Sequence, residues 1–576
     1  MTNALIAFAF DQIGDILEFQ GANPFRVRAY RNSARTIRDY PEPLAAIVEK
    51  DQTKLTEIEG VGDELAAKIV TLVTTGVLPM LEDLKAQVPA SVLALMRIPG
   101  VGPKKAAALH KQLSIQSLAD LKTACEAGKV RELKGFGVKT EQLILQGLAV
   151  AETANLRLYW AEADDIVAAL RAHFAGCPGI TELEFTGSYR RGKETVGDLD
   201  ILAVSTNVAA AMDRLHDFPE RDQVLARGET KMSIRTQRGL QIDLRVVPAE
   251  SFGAALQYFT GSKEHNVILR GMAKDQGLKI NEYGVYRVQG DKETRIAGAT
   301  EQEVYDTLGL PVFPPELREG RREFEWAAAG NLPELITADD IRGDLHMHTT
   351  ASDGSGSIEE MIAAARARGL TYIAITDHSQ RVSMARGLTP QRVLEQYAEI
   401  DRIRPNLPKG FTLLKGIECD ILEQGGMDLP DDVLAQADWV IASVHYGQKQ
   451  PRQQITDRIL GAIANPHVHQ IAHPTGRLIN RREPYEVDLD AVFAAAKEHG
   501  KLLELNCNPQ RLDLNDVYCA AAKQHGIPLV INTDSHSPDG FGVLRYGILQ
   551  ARRAGLTTAD VANARTWAQL KKLVGK

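Results

Sequence analysis

No run of about 18 apolar residues occurs in the 576-residue sequence, so no segment is long enough to span a bilayer as a helix. The N-terminus, MTNALIAFAFDQIGD, has no charged leader region and no clear cleavage site, so no signal peptide is expected. Cysteine is scarce. Five residues, at 125, 177, 419, 507 and 519, form no CxxC pair and leave one over. That argues against a disulfide framework and fits a reducing cytoplasm. An excess of basic charge is missing too, the formal net charge being −8. An acidic total does not favour nucleic acid, but steering depends on local patches. One such patch is present. Residues 91–140 carry Arg97, Lys104, Lys105, Lys111, Lys122, Lys129, Arg131, Lys134 and Lys139 against only Asp120, Glu126 and Glu132. The composition is otherwise that of a soluble protein, with length for about four domains.

Three short breaks in the helical pattern of the N-terminal part look alike: IEGVGDELAAKI (58–69), IPGVGPKKAAAL (98–109) and LKGFGVKTEQLI (133–144). Each is a glycine–apolar–glycine turn opening an amphipathic helix and resembles the helix-hairpin-helix motif. Glycine permits the tight turn and leaves amide N–H groups free at a helix N-terminus, where a phosphate oxygen is well received. The expected DNA-backbone contacts are Gly60, Val61, Gly62, Gly100, Val101, Gly102, Lys104, Lys105, Gly135 and Gly137. Contacts of this kind ignore base identity.

From about residue 152 strands alternate with helices. GSYRRGKETVGDLDIL (187–202) sets Asp198 and Asp200 at the opening of a strand, two apart and hence on one face, with Leu199 and Ile201 packing behind. Like charges this close call for a counter-charge, usually a divalent cation. The loop before them offers Arg190, Arg191 and Lys193, with Gly187, Gly192 and Gly197 to bring amides close to an anion. In LQIDLRVV, Leu240, Ile242, Leu244 and Val246 face one way and Asp243 the other. If that strand pairs beside 198–204, three carboxylates meet and match a two-metal site for in-line displacement. YFTGSKEHNVILR (258–270) reads as an aromatic pair, a Gly-Ser turn and a helix. Residues 311–336 hold three prolines before a charged stretch and mark a boundary.

The remainder, 337–576, holds ten of the fourteen histidines. GDLHMHTTASDG, AITDHS, KGIECD, ASVHYG, IAHPTG, LELNCN and INTDSH recur, all but the first after a short apolar run, with helical stretches such as IEEMIAAARARG between them. Strand–helix alternation with polar residues at strand ends is the layout of a βα barrel, whose function gathers at the C-terminal rim. Six histidines with that placement are hard to explain as packing.

The front half is similar to the family X, or β-type, DNA polymerases on GSYRRGKETVGDLD, QIDLRVV and YFTGS with the hairpins upstream, over roughly residues 1–315. The resemblance implies that Asp198, Asp200 and Asp243 bind two Mg²⁺ or Mn²⁺ ions, Asp243 nearest the primer 3′-hydroxyl. It implies that Gly187, Ser188, Arg191 and Gly197 hold the phosphates of a dNTP. Tyr258, Phe259 and Gly261 would line the sugar, and Asn266 and Arg270 would reach the minor groove and template. Lys263 stands where many relatives carry an acid. Lys68 matches the nucleophile of the family's deoxyribose-phosphate lyase. However, Glu64 one helical turn earlier opposes the lowered pKa such an amine needs, which weighs against lyase activity.

The rear half resembles the PHP (polymerase and histidinol phosphatase) family, which implies a distorted (β/α)7 barrel with three metal ions, Mn²⁺, Zn²⁺ or Fe²⁺ by ligand type. By that resemblance His346, His348, Glu418 and Asp534 bind one ion. Glu418 bridges to a second held by His445 and His473, and Asp353, His378 and His536 hold the third. Arg477 and Arg511 are candidate phosphate contacts, whereas His467, His469, His499 and His525 lie outside the motifs.

The expected architecture is multidomain α+β and α/β. A helical lyase-like domain (1–85) and a helical fingers-type domain (86–151) precede a nucleotidyltransferase palm (152–252). A thumb (253–316), a linker (317–336) and the PHP barrel (337–576) follow. The expected protein is a bacterial, cytoplasmic, monomeric gap-filling repair polymerase acting on gapped or primer-template DNA with dNTPs. Its barrel would act as a 3′–5′ exonuclease, with abasic sites as a further substrate that such fusions imply. Two alternatives are a small-molecule phosphatase with an accessory DNA-binding front half, and a DNA-binding scaffold with a decayed polymerase core.

Overall fold

The computed structural model describes residues 3–39, 44–58, 60–88, 95, 101, 103–154 and 157–575. The chain divides into two compact units, 1–156 with the short segment 480–482, and the remaining residues from 157 onward.

The first unit is helical, with its own core from Ile6 to Leu148. In the glycine–apolar–glycine turns the apolar residue is driven inward: Val61, Val101 and Phe136 are all buried. Gly60, Gly135 and Gly137 adopt φ of +80°, +91° and +85°, which a side chain would oppose. The helices Asp63–Thr75 and Val138–Ala154 start immediately after their turns. Gly100 and Gly102 lie outside the described residues.

The second unit opens with a five-stranded sheet in the order Ile180–Phe185, Asp198–Ser205, Gln241–Val246, Lys231–Thr236, Arg221–Arg227. Only the Asp198–Ser205 and Gln241–Val246 strands run parallel. Leu199, Ile201, Ile242 and Leu244 fill the core behind it. The helices Phe252–Thr260 and Lys263–Asp275 meet at Gly261-Ser262, the second capped by the Ser262 hydroxyl, which accepts from the His265 amide. A three-stranded antiparallel sheet, 278–297, follows.

The segment 317–336, expected as a linker, is instead packed into this unit. Leu317, Arg318, Glu323 and Ile336 are buried, and Arg318 pairs with Glu301. Prolines and charges made it look open in sequence, but the charges are spent on internal ion pairs.

Seven parallel strands in sequence order complete the unit: Gly343–Asp344, Tyr372–Ile375, Thr412–Asp420, Trp439–Ser443, Gln470–Ile471, Leu502–Asn506 and Leu529–Asn532. A parallel bridge between Met347 and Ser535, just beyond the first and last strands, nearly closes the barrel. Alternate residues form two cores. Ile373, Leu413, Ile417, Leu503 and Ile531 face the surrounding helices. Tyr372, Leu414, Trp439, Leu502 and Val530 face inward with Leu570. The inward residues change character along each strand, from Leu414 to Glu418, from Leu502 to Glu504 and Asn506, and from Val530 to Asn532. The polar end is the C-terminal one.

Two candidate metal-binding active sites

On the first sheet, strand register sets Asp200 directly opposite Asp243 and Asp198 opposite Gln241. The three carboxylates therefore meet, which no spacing in the sequence could guarantee. Burial, then the charges of Asp198 and Asp243, push the Asp200 carboxyl up to about 6. A displacement of that size is worth roughly 3 kcal/mol, a strain that a bound cation would relieve. Asp243 behaves oppositely. Burial would raise it, but contacts from Ser233, Gln241 and Lys231 hold it below the usual range. Gln241 Nε2 donates at 3.0 Å and Lys231 Nζ lies 3.2 Å away. Lys231 was not singled out in the sequence; its place on the neighbouring strand, beside the Asp243 strand, is a tertiary fact.

The loop ahead of Asp198 is a four-residue helix, Gly187–Arg190, and a turn. Gly187 has φ +63°, and a Cβ there would lie 3.1 Å from Asp200 Oδ2. Arg190 is committed elsewhere, forking onto Glu301 at 2.8 and 2.9 Å. Arg191 donates Nε to Glu319 at 3.0 Å and Nη1 to the Thr260 carbonyl at 2.6 Å, so two of its three nitrogens are fixed. Gly261 (φ +69°) leaves room for that guanidinium, 3.2 Å from where its Cβ would be. Ser188 and Gly197 are half-buried in the same loop. Tyr258 and Phe259 pack edge to face at 5.2 Å, and the Arg245 guanidinium covers the Phe259 ring.

Asn266 lies where the helices Phe252–Thr260 and Lys263–Asp275 meet. It is buried, donating to the Tyr258 carbonyl at 2.8 Å and accepting from Gln257 at 2.7 Å, so its amide ties two helices together instead of facing outward. Arg270 is exposed, as is Lys263. In the helical unit Lys68 is ion-paired with Glu64 and lies over the Tyr30 ring. Lys105 Nζ sits 5.5 Å from the Phe136 ring centroid. The Lys104 side chain lies outside the described residues.

At the polar mouth of the barrel a second cluster surrounds Glu418. Its Oε2 lies 2.8 Å from His378 Nδ1, 3.4 Å from His346 Nε2 and 3.6 Å from His348 Nε2. Its Oε1 lies 3.1 Å from His473 Nε2 and 3.4 Å from His445 Nε2. Asp534 Oδ1 approaches His348 at 3.1 Å and His346 at 3.4 Å, and Asp353 approaches His378 and His536 at 3.6 and 3.5 Å. Three overlapping groups could each hold an ion: His346, His348 and Asp534; His378, Glu418 and His445; and His348, Asp353, His378 and His536. His348 and His378 thus each belong to two groups, where the sequence reading gave each to one.

The donors fit a cation. Buried His346 Nε2, His348 Nδ1, His378 Nδ1, His473 Nδ1 and Glu418 Oε2 have no hydrogen-bond partner among the described residues, a costly state unless a ligand satisfies it. Burial alone would raise Glu418, but His445, His378 and His346 hold it well below the carboxylate range. Burial, with His536 and His378 beside it, pushes His348 down to about 4. Two members of the cluster, His473 (φ +27°) and Asp534 (φ +55°), occupy left-handed backbone, a strain typical of functional positions.

Behind these side chains stand two carboxylates that sequence reasoning passed over. Glu504 lies 2.7 Å from His346 Nδ1, and Asp420 lies 2.9 Å from His445 Nδ1. Each directs the ring so that Nε2 faces the cluster. Their signal was available, since both sit in strand-end motifs, LELNCN and KGIECD. Arg477, a candidate phosphate contact, is instead paired with Glu194 at 2.6 Å and with the Leu512 carbonyl. Arg511 is half-buried in the turn after Asn508. His469 is structural: it accepts from the Val440 amide and stacks on Trp439.

Family models match the chain along its length. They are a helix-hairpin-helix domain (1–78), a SAM-like helix-hairpin-helix tandem (92–149), a DNA polymerase beta palm (157–248), a DNA polymerase beta thumb (255–319) and a PHP domain (344–508). The chain is 40% identical over 559 residues to "DNA polymerase/3'-5' exonuclease PolX" of Bacillus subtilis (strain 168), covering 96% of each protein. It is also 31% identical to a probable phosphatase of Thermoanaerobacter sp. (strain X514) and 32% identical to one of Acetivibrio thermocellus. Those matches cover 38% and 34% of this chain and 89% and 78% of the relatives.

Proposed function

The chain belongs to the family X DNA polymerases that carry a C-terminal PHP domain, and from that premise we propose how its two centres divide the work of a DNA polymerase/3′–5′ exonuclease. Synthesis belongs to Asp198, Asp200 and Asp243, and hydrolysis to the histidine cluster around Glu418. The observation that carries the first assignment is the register that sets Asp200 against Asp243.

In the synthetic site two divalent cations, Mg²⁺ or Mn²⁺, would be held by the three aspartates and would neutralise the charge that develops in phosphoryl transfer. Asp200 and Asp198 share the repulsion that favours their loading. Asp243, kept ionised by Lys231 and Gln241, is the carboxylate suited to the primer 3′-hydroxyl. Gly187, Ser188 and Gly197 bring loop amides to the triphosphate, and Arg191 orients it with a guanidinium already anchored at two nitrogens. Tyr258, Phe259 and Gly261 line the sugar. Arg270, exposed and with its Nε donating to the Asn266 carbonyl, would reach the template, while Asn266 holds the helix that carries it.

In the hydrolytic site, Mn²⁺, Zn²⁺ or Fe²⁺ ions held by His346, His348, Asp353, His378, Glu418, His445, His473, Asp534 and His536 would lower the pKa of an attacking water and clamp the phosphate. Glu504 and Asp420 hold two of the ligand rings in orientation. Asp353 and His536 are the more open members of the cluster, so the strand enters from their side.

The hairpins at Gly60–Gly62, Gly100–Gly102 and Gly135–Gly137 grip the DNA backbone irrespective of sequence, which suits short gaps. The ion pair between Lys68 and Glu64 engages that amine and argues against lyase chemistry. The reading as a small-molecule phosphatase covers only the third of the chain that the phosphatase relatives match and leaves the aspartate site without a role.

Separable loss is the test. Asp198→Ala with Asp200→Ala should abolish gap extension and spare 3′ hydrolysis, and His346→Ala with His348→Ala should do the converse. Loss of both activities from either pair, in protein that remains folded, would defeat the two-site reading.

A further inference from the structure

One helix of the hydrolytic half reaches into the synthetic half. Leu544–Arg553 belongs to the barrel half, yet two of its side chains, three residues apart and so on one face, end on the turn that follows Gly187–Arg190. Arg553 Nη1 donates to the Arg191 carbonyl at 2.7 Å and to Glu319 Oε1 at 2.9 Å, while its Nη2 donates to Asp516 at 2.8 Å. Gln550 Nε2 donates to the Gly192 carbonyl at 3.0 Å. Between them Leu549 fills the space against Gly192, where a Cβ would come within 3.1 Å.

A four-residue helix ends with carbonyls that no further turn can satisfy. Here the donors for the two carbonyls after it come from the other half of the molecule. Glu319 Oε1 also accepts from Arg191 Nε, so one carboxylate oxygen is shared by Arg191 and Arg553. Moving Arg553 therefore moves the backbone and the side chain of Arg191 together. The network is almost dry, the Arg553 side chain being 2% exposed and that of Glu319 9%.

We propose that Arg553 and Gln550 are positioning residues for the nucleotide-phosphate loop, so that the barrel half is a working part of the synthetic site as well as a hydrolase. This rests on the reading of Arg191 as a triphosphate contact. Neither residue touches the substrate; each fixes the place of Arg191 and Gly192.

The test is steady-state gap filling by the full-length protein, with KM for dNTP and kcat measured separately. Arg553→Ala should raise KM by about tenfold, the loss expected of one charge-assisted hydrogen bond, and leave kcat and 3′ hydrolysis near their starting values. Arg553→Lys should recover part of that loss. Gln550→Leu, which leaves the ion pairs intact, should raise KM by about threefold. Arg552→Ala is the control. It cuts a neighbouring contact of the same helix, to Glu316 at 2.6 Å, without touching the loop. KM should not change. Equal rises in Arg552→Ala and Arg553→Ala would mean general loosening and overturn the proposal. An unchanged KM in Gln550→Leu would overturn it as well if Arg553→Ala either behaves as the unaltered protein or loses both activities. Arg191→Ala separates the two levels: if it leaves KM unchanged, the loop reading fails; if it raises KM while Arg553→Ala does not, only the present inference fails.

Discussion

Glu504 and His346, both fully buried, face each other at 2.7 Å across the barrel. Glu504 also accepts from the His473 amide, Gln470 and Asn532, at 2.7, 3.1 and 3.0 Å. One carboxylate thereby orients a ligand ring and the backbone of a second ligand. Glu504→Gln should lower metal content and 3′ hydrolysis by about 10- to 100-fold while gap filling is unaffected. Metal analysis of the purified full-length protein, alongside both assays, checks this.

Gly187 packs directly against Asp200 in the proposed synthetic site. Gly187→Ala would place a methyl group at 3.1 Å from Asp200 Oδ2 in a backbone at φ +63°. The backbone strain, about 1 kcal/mol or more, stays whatever the space, and the close contact would be eased by displacing Asp200. Gap filling should fall at least about tenfold with hydrolysis intact, measured on the same preparation.

Glu301 couples folding to pH. Burial opposes its ionisation, but Arg190 and Arg318 hold it down to about 2 from an ordinary 4.5. Stabilisation from a depressed carboxyl is complete above the unfolded value and is lost as pH falls toward the folded one. Glu301→Gln should therefore cost on the order of 3 kcal/mol at pH 7. The gap from the unaltered protein should close between pH 4.5 and about 2. Denaturant titrations at a series of pH values measure it.

The hairpin turns and the basic patch should separate by salt dependence. Gly60→Ala with Gly137→Ala strains backbone at φ +80° and +85° and should weaken DNA binding about tenfold with no change in the slope of affinity against salt. Lys134→Ala with Lys139→Ala should reduce that slope by about 2, one for each cation removed. Binding isotherms at several salt concentrations distinguish them.

Much of both sites could be read from local pattern. The D-x-D pair and the alternation of LQIDLRVV announced three carboxylates, because side-chain direction along a strand is set by the backbone alone. The histidine motifs announced a barrel rim, because each repeats the same apolar run before its polar residue. The contacts of Asn266 with Gln257 and the Tyr258 carbonyl were not legible, because a helix position reveals spacing and not which neighbour will claim an amide. The pairing of Arg477 was hidden for the same reason, its partner Glu194 lying 283 residues away. Lys231 went unnoticed as a single charged residue on a strand with no repeat to mark it, whereas Glu504 and Asp420 sat inside the strand-end motifs LELNCN and KGIECD and were passed over there.

The linear chain thus determined which residues have ligand chemistry, and which faces of strands and helices they occupy, since periodicity and residue type are local properties. Folding decided which carboxylate stands opposite which, which rings gather around Glu418, and that Arg553 reaches a loop 362 residues earlier. Those pairings depend on strand register and on burial of charged side chains between packed elements, and both arise only when distant segments compete for the same partners.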